Sequence, residues 1–167
     1  EITVTPDSKD VVKTVVYVGN AQEAQAIFYD ETTGKEISGT REIATGKTDE
    51  TIGFTKDPNE VVKELEKQGY VFDKDNAKNN VFVAGTAYDK NSEVHQYFKY
   101  YLKHGHATVT PDQDPQKGQK TVTQTIKYEY ADGTATGLAD NVQTLTFKRT
   151  GDKDLVTHEV TWPDWST

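Results

Sequence analysis

The triplet Gly46-Lys47-Thr48 is the first feature that could carry chemistry, because Gly-Lys-Thr ends the phosphate-binding loop of many nucleotide-binding proteins. That loop needs another glycine five positions before Gly46, where the chain curls so that backbone N–H groups converge on phosphate. Arg41 occupies this position. A helix should follow at once, but the stretch TDETIGF is typical of a strand. The triplet therefore indicates a turn between strands and no nucleotide site.

Nucleophiles and metal ligands also lack a recognisable pattern. None of the four serines lies in a Gly-x-Ser-x-Gly motif. His104 and His106 could bind a metal from one strand, but no third ligand has a suitable spacing. Asp73 and Asp75, in the stretch DKDNAKNN, are the calcium candidates, although an EF-hand's central glycine and distant glutamate are missing. The alternative is a solvated turn, and we expect no catalytic residue, metal or cofactor.

Aromatic side chains are the best candidates for binding. Tyr97 and Tyr101 lie on the more polar face of a predicted strand, where their rings could stack on sugars. The alternative is that they are ordinary cross-strand neighbours, since aromatic residues favour sheets. Trp165, just after Pro163-Asp164, is a third candidate, either packed on a neighbouring module or exposed. These three residues are the predicted glycan contacts.

Composition excludes several classes of partner. The net charge of −8 repels phosphate backbones and anionic lipid, so nucleic-acid binding is not expected. The chain has no cysteine and therefore no disulfide or thiolate chemistry, and no apolar run approaches a membrane span. With 27 acidic residues, nothing distinguishes a glycosidase carboxylate pair from surface charge.

One helix carries complete sequence signals. Asp57 is a suitable N-cap, Pro58 fits the first helical position, and Glu60 completes a capping box. Gly69 ends the helix. The flanking apolar patterns predict strands. These are Val11–Val18, Gln25–Asp30, Lys35–Ile43, Thr51–Phe54, Tyr70–Phe72, Val81–Val83 and Glu93–His104.

A composition change divides the chain. Gly105–Lys120 has two prolines and little apolar content, which indicates a domain boundary. Beyond it the pattern predicts only strands, with a hairpin turn at Asp132-Gly133. The three predicted strands are 122–130, 142–149 and 154–162. We therefore place a first domain at residues 1–107 and a smaller one at 108–167.

Several stretches together resemble a known family. AIFYDETTGKEI, VVKELEKQGYVF and FKYYLKHGHATVTP resemble the first half of a mucus-binding (Mub) repeat from adhesins of Gram-positive gut bacteria. TQTIKYEYADG, VQTLTFKRTGDKDLVT and VTWPDWST resemble its second half. The resemblance extends from about Val11 to Trp165. It implies an α+β, predominantly β chain: a β-grasp (ubiquitin-like) first domain with one helix, then a mostly antiparallel β domain, arranged end to end.

The resemblance also implies a function. Mub repeats are tandem, non-enzymatic modules of wall-anchored surface proteins, and they bind mucin glycoproteins or other host glycoproteins such as immunoglobulins. We therefore expect an extracellular adhesin module whose partners are host mucins and neighbouring repeats. Two alternatives remain: a structural spacer that projects another binding domain, and a glycan hydrolase, which would need two carboxylates in a pocket.

Overall fold

A computed structural model describes residues 5–10 and 12–166. Within these residues the protein is predominantly β, with ten strands and two helices. The elements are β1 (Ala21–Asp30), β2 (Lys35–Glu36), β3 (Glu42–Lys47), α1 (Pro58–Lys67), β4 (Tyr70–Phe72), β5 (Gln96–His104), β6 (His106–Val109), α2 (Pro115–Gly118), β7 (Gln119–Ile126), β8 (Asn141–Lys148), β9 (Gly151–Asp154) and β10 (Val160–Thr161).

A five-stranded mixed sheet forms the first half of the chain. Its strand order is β2-β1-β5-β4, and β3 also pairs with β1. The two central strands, β1 and β5, are parallel, whereas the other pairs are antiparallel. The apolar stripe of α1, formed by Val61, Val62 and Leu65, belongs to the same core as Phe28 and Tyr100 of the central strands. The helix therefore covers one face of this sheet. On the other face Gln25 and Ile27 are also buried, and Tyr29 and Tyr101 are half-buried.

The local signals of α1 are confirmed, with one exception. The Asp57 side chain accepts a hydrogen bond from the Asn59 backbone N–H at 2.8 Å, and Pro58 is the first helical residue. Gly69 has a φ of 101°, which suits glycine just beyond a helix. The predicted capping-box bond from Glu60 is absent, because its carboxylate pairs with Lys63 at 2.6 Å.

The second half contains two antiparallel sheets. One has the order β10-β9-β6, and the other is the β7–β8 ribbon. The segment predicted as a boundary contributes β6 and α2, and the expected division between residues 107 and 108 falls inside β6. The predicted strand at 154–162 is interrupted: a turn follows Asp154 and includes His158 at a φ of 64°.

Two Val-rich strand predictions were wrong because their segments have no strand to pair with. Val11 lies outside the described residues, and residues 12–18 are irregular and exposed. Both edges of β1 are already taken by β2 and β3 on one side and β5 on the other. Residues 81–83 are also irregular. Asn80 bridges Lys99, and the chain then turns Phe82 into the core.

Three further strand predictions need shorter limits. Lys35–Ile43 splits into β2 and the start of β3, with Gly39 between them at a φ of 76°. Thr51–Phe54 makes a single bridge, from Thr51 to Ala87, while Ile52 packs in the core. The strand predicted from Glu93 begins only at Gln96, so Val94 is exposed. In each case a turn or a core contact replaces regular pairing.

No helix in the described part of the chain is long and apolar enough to cross a membrane.

Candidate functional site

The sheet face opposite α1 is the candidate site. Side chains alternate between the faces of a strand, and paired residues project to the same side. The parallel register therefore places Gln25 beside Tyr97, Ile27 beside Lys99, and Tyr29 beside Tyr101. We call this surface the outer face, defined by Gln25, Tyr29, Glu36, Arg41, Tyr97, Lys99 and Tyr101.

Two tyrosines stack on the outer face. The rings of Tyr29 and Tyr101 have centroids 5.0 Å apart and an interplanar angle of 16°. Both side chains are half-buried, and the Lys78 ammonium lies 5.7 Å from the Tyr101 ring centroid. Tyr29 and Tyr101 also line an open depression of about 300 Å³ with Asp30, Glu31, Gly34 and Lys78. An aromatic surface bordered by charged groups is suited to a ligand with both apolar and hydroxyl groups.

Arg41 connects β1 and β2 beside the tyrosines. Its Nη1 donates to Gln25 Oε1 at 2.8 Å, while Nε and Nη2 donate to the two Glu36 carboxylate oxygens at 2.9 and 2.6 Å. The hydrogen bond from Arg41 holds the pKa of Glu36 below its ordinary value, and the same bond raises the pKa of Arg41. This bidentate arrangement keeps a charged, hydrogen-bonding group fixed next to the rings.

The DKDNAKNN loop supports β5 under the tyrosines. Asn79 Oδ1 accepts a hydrogen bond from the Tyr101 backbone N–H at 3.0 Å, and Asn80 Nδ2 donates to the Tyr97 carbonyl at 2.6 Å. Asp73, a calcium candidate, faces Lys103 at 3.9 Å, and Asp75 is exposed. Across residues 5–10 and 12–166 no group of three or more His, Cys, Asp or Glu could hold a metal ion. The geometry therefore gives the loop a role in positioning β5.

The two histidines that were weighed as metal ligands are paired with separate carboxylates. His104 is buried, with Nδ1 2.5 Å from Asp154 Oδ2 and Nε2 3.1 Å from Asp30 Oδ2. His106 is exposed and pairs with Asp152 at 2.8 Å. Because Asp30 belongs to β1 and Asp154 to β9, His104 joins the first sheet to the second half.

The three predicted glycan contacts do not form one cluster. Tyr97 and Tyr101 share the outer face, as their alternation on β5 predicted. Trp165 lies in the second half, where its ring packs at 4.2 Å on the Arg149 guanidinium. Sequence reasoning missed Tyr29 and Arg41. Tyr29 lies in a correctly predicted strand, but only the β1–β5 register shows that it stacks on Tyr101.

These features define the class of the protein as a two-part, predominantly β module with partly exposed aromatic side chains on one sheet face. Family models support this class: a mucin binding domain matches residues 22–104, and a Muc B2-like domain matches residues 113–167. No curated protein sequence matches the chain.

Two solved structures are similar over most of the chain. The type 2 repeat of the mucus binding protein MUB from Lactobacillus reuteri is 33% identical, with a TM-score of 0.58 over 87% of this chain and 76% of that one. The crystal structure of Mub-RV is 30% identical, with a TM-score of 0.65 over 87% of this chain and 72% of that one. The chain therefore belongs to the family of mucus-binding Mub repeats, which are adhesion modules.

Proposed function

We propose that this repeat binds mucin glycans through its outer face and acts as one adhesive unit of a bacterial cell-surface protein. The observation that carries the proposal is the stacked, half-buried pair of Tyr29 and Tyr101 on the outer face, with Lys78 beside it. Aromatic faces pack against the C–H faces of sugar rings, and the phenol groups remain free to hydrogen-bond.

Polar groups around the rings supply hydrogen bonds for sugar hydroxyls. Lys78 is a donor, and Glu31, on the rim of the same depression, is an acceptor. Tyr97 extends the aromatic surface along β5, next to the Arg41–Gln25 pair. The site is shallow, so a single repeat should bind weakly. Repetition along a chain raises avidity without new contacts.

We infer that the first half is a β-grasp domain. A helix lies on one face of a mixed sheet whose two central strands are parallel, and each central strand has an antiparallel neighbour. The second half would form a smaller antiparallel β domain placed end to end with the first, divided near residue 107. An end-to-end arrangement presents the outer face of every repeat along an array.

The family supports a location on the cell surface, and we propose the wall of a Gram-positive bacterium. Host mucins are the proposed partners, and immunoglobulins are further glycoproteins that the same face would contact through their sugars. Neighbouring repeats of the same chain would be the remaining partners. Trp165, whose ring packs on the Arg149 guanidinium, remains a proposed glycan contact and would also be available to such a neighbour.

The test is binding of the purified module to immobilised mucin, before and after enzymatic removal of the glycans. Tyr29→Ala and Tyr101→Ala should each weaken binding roughly fivefold, equivalent to about 1 kcal/mol of lost ring contact. Tyr101→Phe retains the ring and should bind better than Tyr101→Ala. Tyr128→Ala removes an exposed tyrosine of the second half and is the matched control.

Each outcome separates adhesion from other roles. Glycan-dependent binding that falls in both outer-face variants but not in Tyr128→Ala supports the proposal. If neither the single module nor a two-repeat tandem binds mucin, the module is a spacer that projects another domain. Binding that survives complete deglycosylation would place recognition on the mucin polypeptide and overturn the glycan proposal.

A further inference from the structure

Residues 12–18 form an exposed segment that has strand-forming sequence but no strand partner. Val12 and Tyr17 are each 91% exposed, and the other apolar side chains of the segment are also exposed. None of these residues makes a backbone hydrogen bond with the rest of the described chain. Val, Tyr and Thr favour sheets because they pack well on a pleated surface. The segment has the composition of a strand without the sheet that would stabilise it.

The β7–β8 ribbon lacks a partner in the same way. In the part of the chain that the structure describes, these two eight-residue strands pair only with each other, so both outer edges leave backbone N–H and C=O groups unpaired. One ribbon face collects four apolar side chains that are between 41% and 57% exposed: Val122, Ile126, Leu145 and Phe147. An isolated two-stranded ribbon is only marginally stable in water.

We propose that residues 12–18 add as a third strand to an outer edge of the β7–β8 ribbon in a second copy of this module. The lengths match, since the segment has seven residues and each ribbon strand has eight. In an extended chain, Val12, Val16 and Val18 project to one side, so they extend the apolar face of the ribbon. Backbone hydrogen bonds to the free edge supply the remaining attraction.

The occupant is another copy rather than the same chain because the segment is attached to the first half. It leads directly into β1, and the Asn20 carbonyl accepts a hydrogen bond from the Thr48 N–H at 3.0 Å. The ribbon belongs to the second half. In a tandem array, the segment of each copy follows the ribbon of the preceding copy. The contact is therefore head-to-tail and propagates along the array.

Tandem linkage allows this contact to be weak in isolation. A short linker between copies gives an effective concentration in the millimolar range, so a dissociation constant near 1 mM would keep the strand docked in about half of the joints or more. Docking would cover the exposed apolar side chains and stiffen each joint between copies. The proposal does not depend on glycan binding, because neither the segment nor the ribbon contains an outer-face residue.

The test is titration of the isotope-labelled full chain with a synthetic peptide of residues 9–20, followed by amide chemical shifts. We expect saturable shifts in β7 and β8, with a dissociation constant of about 1 mM. The control peptide carries Val15→Pro and Val16→Pro. Successive backbone N–H groups point to opposite sides, so one of these prolines must remove a donor to the ribbon. The control peptide should therefore bind the ribbon at least tenfold more weakly than the native peptide.

A second measurement uses the chain without added peptide. Sedimentation should show concentration-dependent self-association, which the same two prolines abolish when placed in the full chain. Residues 15 and 16 are exposed and irregular, so this variant should keep its fold and its melting temperature. The proposal is overturned if the amide chemical shifts of β7 and β8 do not change with up to about 5 mM peptide, or if the proline peptide changes them equally. The ribbon would then bind another partner.

Discussion

Nδ1 of His104 lies 2.5 Å from Oδ2 of Asp154, and this contact links β5 of the first sheet to β9 of the second half. The other ring nitrogen faces Asp30. Both ring nitrogens of a protonated histidine donate hydrogen bonds, so an imidazolium satisfies both carboxylates at once. The joint between the halves is therefore a hydrogen-bonded triad in which His104 and Asp30 are buried and Asp154 is half-buried.

This triad predicts a pH-dependent stability. Burial alone lowers the pKa of His104, but hydrogen bonds to Asp154 and Asp30 outweigh it, and the pKa is raised. The hydrogen bond from His104 holds the pKa of Asp154 well below its ordinary value. Burial tends to raise the pKa of Asp30, but hydrogen bonds from Thr33 and His104 bring it below the ordinary value.

The directions of these pKa shifts define the pH range in which the protein is most stable. The stabilisation that His104 contributes is fully present below its unfolded-state pKa of about 6.5. It is lost as pH rises through the higher pKa of the folded state. The aspartates' contribution is complete above about pH 4 and is lost as pH falls through their lower folded pKa values. Thermal melts across pH should therefore be highest between about pH 4 and 6.5.

Substitutions test whether the triad sets this pH profile. His104→Asn should flatten both sides, because it removes the histidine titration and the hydrogen bond that lowers the pKa of Asp154. Asp154→Asn should weaken both declines and leave the part that comes from Asp30. His106→Asn, which removes an exposed imidazole, is the matched control and should keep the alkaline decline. An unchanged alkaline limb in His104→Asn would show that the triad does not set the pH dependence.

Removing the hydroxyl group should change the free energy of unfolding in opposite directions at two buried tyrosines. The buried Oη of Tyr88 has no hydrogen-bond partner among the described residues, so Tyr88→Phe should raise the free energy of unfolding by about 1 kcal/mol. Tyr100 Oη accepts a hydrogen bond from the Phe82 N–H at 2.9 Å. Tyr100→Phe leaves that donor buried and should lower the free energy by about 1–3 kcal/mol. Denaturant unfolding of both variants checks the contrast, which fails if both change in the same direction.

Gly46, the glycine of the apparent phosphate-loop motif, has a packing role. A Cβ at this position would lie 2.4 Å from Cε2 of the buried Tyr88 ring. Gly46→Ala should therefore destabilise the module by about 1–3 kcal/mol through overpacking, measured by denaturant unfolding. Gly53→Ala is the matched control, because a Cβ there meets nothing within 4 Å. Equal effects of the two substitutions would contradict the packing role.

Local signals in the sequence were sufficient where the chain forms structure with its near neighbours. Asp57, Pro58 and Gly69 bounded α1 correctly because caps act within a few residues. Residues 12–18 misled the prediction because strand propensity is local, whereas a strand needs a partner from elsewhere in the chain. Tyr29 was missed for the same physical reason: its contact with Tyr101 arises from the parallel register of β1 and β5.

The two parts of the predicted capping box at α1 can be tested separately. Asp57→Ala removes the acceptor for the Asn59 N–H and should cost about 1 kcal/mol of unfolding free energy. Glu60→Gln removes an exposed pair with Lys63 and a first-turn charge that the helix dipole favours, and it should cost less than Asp57→Ala. Urea unfolding of both variants shows whether Asp57 alone caps the helix or whether Glu60 also does. A cost for Glu60→Gln as large as that for Asp57→Ala would mean that Glu60 caps the helix in solution.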